Sequence, residues 1–208
     1  GFAVTGINAN ALGEKQFAIC DNLQAGLSLP ANPFRPVVHL QSGSRLMGRI
    51  HGATASEVSF MGPLPKSPVA LPAVSRIDFQ WVPYRFLTFL NEARPGILLA
   101  SGDFIEGEFK GVKDQRAALS SVLVGVRTYD VNQDVLCVVL RPPAQRPHAF
   151  EVSTIDGSRW LATDLQFGHN ELIVRDSALG TCRLPIYELA EIRRFPFQRA
   201  VPALARNY

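Results

Sequence analysis

The sequence predicts an all-β protein built from three tandem, related, small barrel-like units, with at most one or two short helices. Three observations carry this. Gly43 and Gly48 stand five residues apart with apolar residues on either side, and Gly102 and Gly107 stand five apart in the same setting. Counted from Gly43, Gly102 and Gly157, apolar residues fall in step: Leu46, Ile105 and Trp160 at three, Val58, Ala117 and Leu172 at fifteen, Phe60, Leu119 and Val174 at seventeen. Between turn-forming residues the chain runs in short stretches that alternate polar with apolar, the period of a half-buried strand. A β-trefoil is the architectural alternative, since three repeats of about 45 residues describe it equally; the long joining segment at 83–95 counts against it.

Residues 1–36 form an N-terminal arm and linker. One strand is expected from Lys15 to Cys20, after a run rich in Gly and Asn. Pro30, Pro33 and Pro36 then exclude a regular element. The first β-unit with its joining segment spans 37–95. Val37 to Leu40 is a strand, Ser42-Gly43 a turn, and Arg45 to Ile50 a strand with Leu46, Gly48 and Ile50 on one face and Arg45, Met47 and Arg49 on the other. Val58 and Phe60 belong to the next strand, and Val69 to Pro72 and Arg76 to Trp81 follow a proline-broken stretch. Within the joining segment, Pro83 before and Pro95-Gly96 after suit a helix, although its aromatic and β-branched content also permits a strand.

The second unit spans 96–148 and ends in the Pro-rich linker Arg141 to Pro147; the third, with a fraying tail from Pro196, spans 149–208. A Leu-Pro pair lies 28 residues after the turn glycine in the first unit (Leu71) and 27 in the third (Leu184), with Tyr129-Asp130 there in the second. In the third unit Ala162 replaces the second glycine and Asp164 replaces an apolar residue. A β-bulge or altered twist near Ala162 to Asp164 reconciles that pattern with burial. Tyr187 to Phe195 is ambiguous between strand and helix.

Composition narrows function less than fold. The formal charge of +3 over 208 residues arises entirely within 37–95, which holds six Lys/Arg against three Asp/Glu, and the remaining segments balance. That is a weak basic patch, and net charge speaks first to solubility. No apolar run is long enough for a membrane-spanning helix, and no charged-then-apolar leader opens the chain. A start at Gly1-Phe2-Ala3-Val4 reads as a trimmed or mature form. Cys20, Cys137 and Cys182 lack CxxC spacing, which argues against zinc and a disulfide-dense scaffold while leaving one disulfide plus one free thiol open.

The stretch Leu40-Gln41-Ser42-Gly43-Ser44-Arg45-Leu46-Met47-Gly48-Arg49-Ile50 resembles the first motif of Sm-like barrels, and Ala100 to Phe109 resembles it almost as well. The family's base-holding Asp falls here at Thr54 and Lys113 and its Asn at about Glu57 and Arg116, so the resemblance implies a shared backbone plan without the RNA-holding residues. Arg94 to Glu108 is also similar to segments of large exported bacterial proteins of unassigned role that carry tandem β-units beside carbohydrate-binding modules. That likeness covers residues 37–195, implies an extracytoplasmic, modular bacterial setting and brings no site residues.

Catalytic, cofactor-binding and metal-ligating sets are not expected. Asp156-Gly157-Ser158 has the wrong order for an aspartic-protease loop and reads as a type I′ hairpin turn. His39, His51, His148 and His169 lack metal spacing, a cross-strand pair of His39 with His51 being the lesser reading. Asp103, Glu106 and Glu108 suit calcium in composition, yet Glu106 and Glu108 alternate with Ile105 and Gly107 as a solvated strand face does. Trp81 and Trp160 read as core residues, Trp81 through Ile77 and Phe79, Trp160 through the position of Leu46. Tyr84 and Arg85 are the candidate binding surface. The expected role is a non-enzymatic interaction or scaffold module with a protein or glycan partner, part of a larger exported protein. A carbohydrate-binding module is the alternative and an Sm-type nucleic-acid binder a more distant one.

Overall fold

Alternation turns into strand pairing directly after Pro36. The computed structural model of the protein describes residues 35–61, 68–92, 94–144 and 147–195. The chain divides into Gly1–Phe34 and Arg35–Tyr208; the strand expected from Lys15 to Cys20, nearly all of the arm, and the tail from Pro196 lie outside the described residues. In chain order the strands are β1 Val37–Leu40, β2 Arg45–Met47, β3 Arg49–Ala53, β4 Glu57–Met61, β5 Val69–Ala70, β6 Val74–Asp78, β7 Gly96–Leu99, β8 Phe104–Glu106 and β9 Glu108–Lys113. They continue as β10 Arg116–Ser121, β11 Gly125–Asp130, β12 Val135–Val139, β13 Phe150–Thr154, β14 Arg159–Phe167, β15 Glu171–Asp176, β16 Gly180–Pro185 and β17 Leu189–Arg194. The segment with mixed helix and strand signals is helical, α1 at Tyr84–Glu92. Phe86 and Leu90, four apart, share the face that packs beneath it, with Leu98, Leu136, Cys137 and Val139. Each Leu-Pro pair leads into a 3-10 turn, Leu71–Ala73 or Ile186–Glu188, and then a strand.

All pairings among the described strands are antiparallel. One sheet runs β16-β15-β14-β2-β1-β6-β12-β7-β8, with β13 on β14 and β17 on β13; the other runs β11-β10-β9-β3-β4-β5. Among the described strands neither sheet closes into a barrel, which corrects the barrel-like expectation. The cause lies at the second glycine. A Cβ at Gly48 would stand 2.7 Å from Met61 O, and one at Gly107 2.6 Å from Ser120 O. The strand bends there, so that β2 and β8 stay in the larger sheet while β3 and β9 pass to the smaller. With Ala162 in the third segment, β14 runs on unbroken in the larger sheet, and the expected irregularity is present as a register shift between Ala162 and Asp164.

Three hairpin turns share one geometry. Leu40 N donates to Ser44 O (2.9 Å) and Gly43 N to Leu40 O (3.0 Å); Leu99, Gly102 and Asp103 repeat this at 2.9 Å and 2.9 Å, and Thr154, Gly157 and Ser158 at 3.0 Å and 3.0 Å. Gly43, Gly102 and Gly157 have φ of 90°, 95° and 93°, the left-handed region that a side chain disfavours. Asp156 is not left-handed, so the type I′ reading is replaced by a three-residue loop closing on a left-handed glycine.

Across the larger sheet, directly opposed residues Leu46, Val38, Ile77, Val138, Ile97 and Ile105 form one apolar row. All but the partly buried Ile105 are fully buried, and Trp160 belongs to the same core. Trp81 does not, contrary to expectation. Phe79 N and Gln80 N both donate to Leu136 O (2.9 and 3.2 Å), which bends the chain out of strand alternation just after β6 and leaves Trp81 67% exposed.

The bend glycines generate the first prediction. Gly107→Ala pushes a methyl against a backbone carbonyl that cannot swing away, an overpacking cost of about 2 kcal/mol. Ala162→Gly removes one methyl from a strand and adds backbone entropy to the unfolded chain, about 1 kcal/mol. Urea unfolding followed by tryptophan fluorescence checks the order; a Gly107→Ala protein as stable as the parent would refute the bend argument.

Candidate functional site

Opposite the apolar row, the other face of the larger sheet carries a polar one. Arg159 faces Arg45, Arg45 faces His39, and His39 faces Arg76 on successive strands. His39 Nε2 lies 2.6 Å from Asp78 Oδ2, and Arg76 Nη2 donates to the same oxygen at 3.2 Å. Arg76 Nε is 2.8 Å from Asp78 Oδ1 at an angle too poor for a hydrogen bond, so that contact is ionic. Burial is the main cause that lowers the His39 pKa from 6.5; the hydrogen bond and charge of Asp78 oppose it, and the charges of Arg76 and Arg45 add to it. The imidazole is therefore neutral at pH 7, with Nε2–H donated to the carboxylate. Arg159 Nε sits 3.4 Å from Glu151 Oε2, which offsets the like charges of Arg45 and Arg159.

Beside this row is a cavity of about 190 Å³, bordered by His39, Ser75, Arg76 and Arg141 and by Leu90 of α1. Pockets for small molecules run to about 300–1,000 Å³, and this one is smaller. His39, Arg76 and Asp78 engage one another across β1 and β6, so the cluster reads as a strand joint.

Tyr84 and Arg85 lie at the start of α1, both exposed, with the Arg85 guanidinium 4.8 Å over the Phe86 ring. Neither borders the cavity. His39 and His51 are on strands of different sheets and do not form a cross-strand pair. Among the described residues no three His, Cys, Asp or Glu side chains converge as metal ligands. Glu108 pairs with Lys110 (2.6 Å), Glu106 with Arg94 (3.7 Å), and Asp103 accepts from Ser101 Oγ (2.8 Å). Asp156 accepts from Thr154 Oγ1, Ser158 N and Ser158 Oγ, which makes it the brace of its own turn. Cys137 and Cys182 are free thiols. Burial first, then the charge of Asp78 or Asp176, pushes them up to about 12 and about 11, far from thiolate reactivity at neutral pH.

One surface went unrecognised in the sequence. Val122, Leu123 and Val124 form the turn between β10 and β11, where Gly, Asn, Asp, Ser or Pro is usual. Val122 is 104% exposed, Leu123 88%, and Val126 just beyond is 70%. The tip is shaped by Leu123 N donating to Ser121 Oγ (3.3 Å) and Arg127 Nε to Val124 O (3.3 Å). β11 is also the end strand of the smaller sheet, with its outer backbone groups unpaired among the described strands. In sequence, Val122 to Val126 reads as a strand continuing from β10, because only the backbone reversal moves those residues to the surface.

No protein-family profile, curated protein or solved structure matches the chain.

The His39 shift has a measurable consequence. The unfolded state binds a proton at His39 more tightly than the folded state does, so stability rises with pH through 6.5 and is lost as pH falls below it. His39→Gln keeps a donor near Asp78 and removes the titration. Thermal unfolding at about pH 7.5 and 5.5 should show a smaller pH difference in the variant than in the parent; equal differences would count against the buried-neutral assignment.

Proposed function

We propose that the chain is a non-enzymatic interaction module, built from three segments on one plan, and that hairpin β10–β11 is its binding element. A turn made of Val122, Leu123 and Val124, held in water at the end of a sheet, is the observation that carries this reading. Exposing such a tip costs solubility, and a contiguous exposed apolar patch is a common mark of an interaction site. A protein partner fits better than a bilayer. The open edge of β11 offers backbone donors and acceptors that an added strand satisfies and hydrocarbon does not. No helix among the described residues is long and apolar enough to cross a membrane.

The Sm-like resemblance supports the shared plan and not RNA binding. Thr54 Oγ1 accepts from Ser56 N and Glu57 N at 3.2 Å, and Arg116 bonds Thr128, so these side chains serve their own turn and strand pair. The larger exported setting belongs to the same proposal and rests on the similarity over residues 37–195 alone.

The test places a photo-crosslinking amino acid at Leu123 in cells that make the protein, with a control at Ile155, which is also exposed. A discrete protein adduct specific to position 123 and lost on Val122→Asp is expected. Adducts equal at both positions, or binding to neutral lipid vesicles that Val122→Asp abolishes, would overturn the protein-partner reading.

A second reading has one observation in its favour. Trp81 is exposed three residues from the exposed Tyr84, and aromatic side chains are what a sugar ring stacks on. As a carbohydrate-binding module the protein gives glycan-array hits that weaken on Trp81→Ala or Tyr84→Ala; the absence of hits on a broad array removes this option.

A further inference from the structure

We propose that the outer edge of β17 pairs, about a two-fold axis, with β17 of a second copy of this chain. The inference rests on the three-segment plan and extends it. Within each segment the last strand pairs with the first, and the central opposed residues are Val38 with Ile77, Ile97 with Val138, and Val152 with Ile192. Ile77, Val138 and Ile192 are therefore counterparts.

The chain already joins two of these strands edge to edge. β6 and β12 are antiparallel with Ile77 opposite Val138, each residue facing its own counterpart. The flanking hydrogen bonds are reciprocal as well, Phe79 N to Leu136 O at 2.9 Å and Leu140 N to Ser75 O at 2.8 Å, each donor two residues after the central residue and each acceptor two before. This is an internal two-fold joint, and it buries Ile77 and Val138 completely.

In the third segment the same edge is left open. β17 pairs only with β13 among the described strands, and Ile192 ends its apolar row 37% exposed. Phe195 N donates to Ala149 O (2.8 Å), so alternation along the strand turns the N–H and C=O of Ile192 outward, the orientation that the β6–β12 joint uses for Ile77. The other contact of that joint is Ala53 opposite Val112; their counterpart, ten residues after Gly157, is Phe167, 67% exposed.

Charge selects the occupant. Edge strands commonly carry charges that discourage pairing, but here Glu191 and Arg193 flank Ile192. In an antiparallel pair centred on Ile192, Glu191 of each copy faces Arg193 of the other. The two already attract along the strand, Arg193 Nε lying 2.8 Å from Glu191 Oε1, and dimerisation makes them a four-charge set of alternating sign. A parallel or shifted pairing does not give this match.

The test uses the full 208-residue chain, with sedimentation velocity over a range of concentrations and circular dichroism to verify folding. The parent should show a concentration-dependent dimer. Glu191→Arg and Arg193→Glu, each with like charges facing across the axis, should each weaken it by about tenfold or more. Mixing the two variants should restore a heterodimer, and the double exchange should restore the homodimer. A parent that stays monomeric throughout, a dimer indifferent to both substitutions, or variants that fail to associate on mixing would each overturn the proposal. Crosslinking at Leu123 is read separately, so loss of the dimer leaves the hairpin reading standing, and the converse holds too.

Discussion

A buried carboxylate closes the weakest seam of the larger sheet. Between β2 and β14 the backbone supplies one opposed pair, Arg45 with Arg159, and those two carry like charge. The seam is held by side chains instead. Ser44 Oγ accepts from Leu161 N and Ser158 Oγ from Met47 N, both at 2.8 Å, a reciprocal pair formed by residues at the same distance from their turn glycines. Asp176, 1% exposed, fixes the first of these hydroxyls. Its Oδ2 accepts from Ser42 Oγ (2.8 Å) and Ser44 Oγ (2.5 Å), while Oδ1 accepts from Ala178 N (2.6 Å) and Leu179 N (3.0 Å). Four donors satisfy the buried charge, and hydrogen bonds to a charged group contribute about 1.5–3 kcal/mol each, against a desolvation cost of several kcal/mol. The net gain is smaller than the cost of breaking the set. Without the carboxylate, two hydroxyls and two amides lose their acceptor at the place where the sheet has fewest backbone bonds.

Strand alternation divides the work of the two faces of the sheet. The apolar row from Leu46 to Ile105 runs unbroken across β2, β1, β6, β12, β7 and β8, and burial drives it. On the reverse face, the row Arg159, Arg45, His39, Arg76 is electrostatically crowded. Arg45 is pushed below its ordinary pKa, first by burial and then by Arg159. Asp78 and Glu151 make this face tolerable, and α1 covers only its far side, over Leu98, Cys137 and Val139. A cluster of His, Asp and Arg suggests chemistry at first sight; its partners show it spanning β1 and β6.

Turn glycines, strand alternation and the in-step positions were legible in the sequence because each is a local rule. A left-handed turn needs glycine, and Val58, Ala117 and Leu172 came out fully buried as their spacing required. Even the irregularity at Ala162 was readable, since a missing glycine and a misplaced Asp164 mark the same spot. What could not be read is set by contacts far apart in the chain. Trp81 was misjudged because alternation was extended past the bend that Leu136 O imposes. Asp176 drew no notice, because nothing near it in sequence reveals Ser42 and Ser44 as its partners. The Val122–Val124 tip was concealed by looking like strand. Tyr84 and Arg85 lie on the surface, yet Thr88 and Phe89 of the same helix are exposed too, so exposure alone does not single them out.

The open sheets follow from how the proposed segments are joined. Each has two edges suited to a like partner: the hairpin edge near its turn glycine, and the outer edge of its last strand. The first segment has both occupied, its hairpin edge by β14 and its last strand by β12. The second has its last strand occupied and leaves β8 at the end of the sheet. There Asp103 stands where Ser44 and Ser158 stand, and Glu106 where Met47 and Leu161 stand. Glu106 puts a carboxylate where an apolar side chain packs, which disfavours the same joint on this edge, and together Asp103 and Glu106 set like charge against a second copy. The third segment has its hairpin edge occupied and its last strand open, but with Ile192 between charges of opposite sign. One free edge is thus poisoned and the other is self-complementary. A chain protecting itself from all pairing would have acids at both, and the difference between β8 and β17 is what makes the second edge a surface for association.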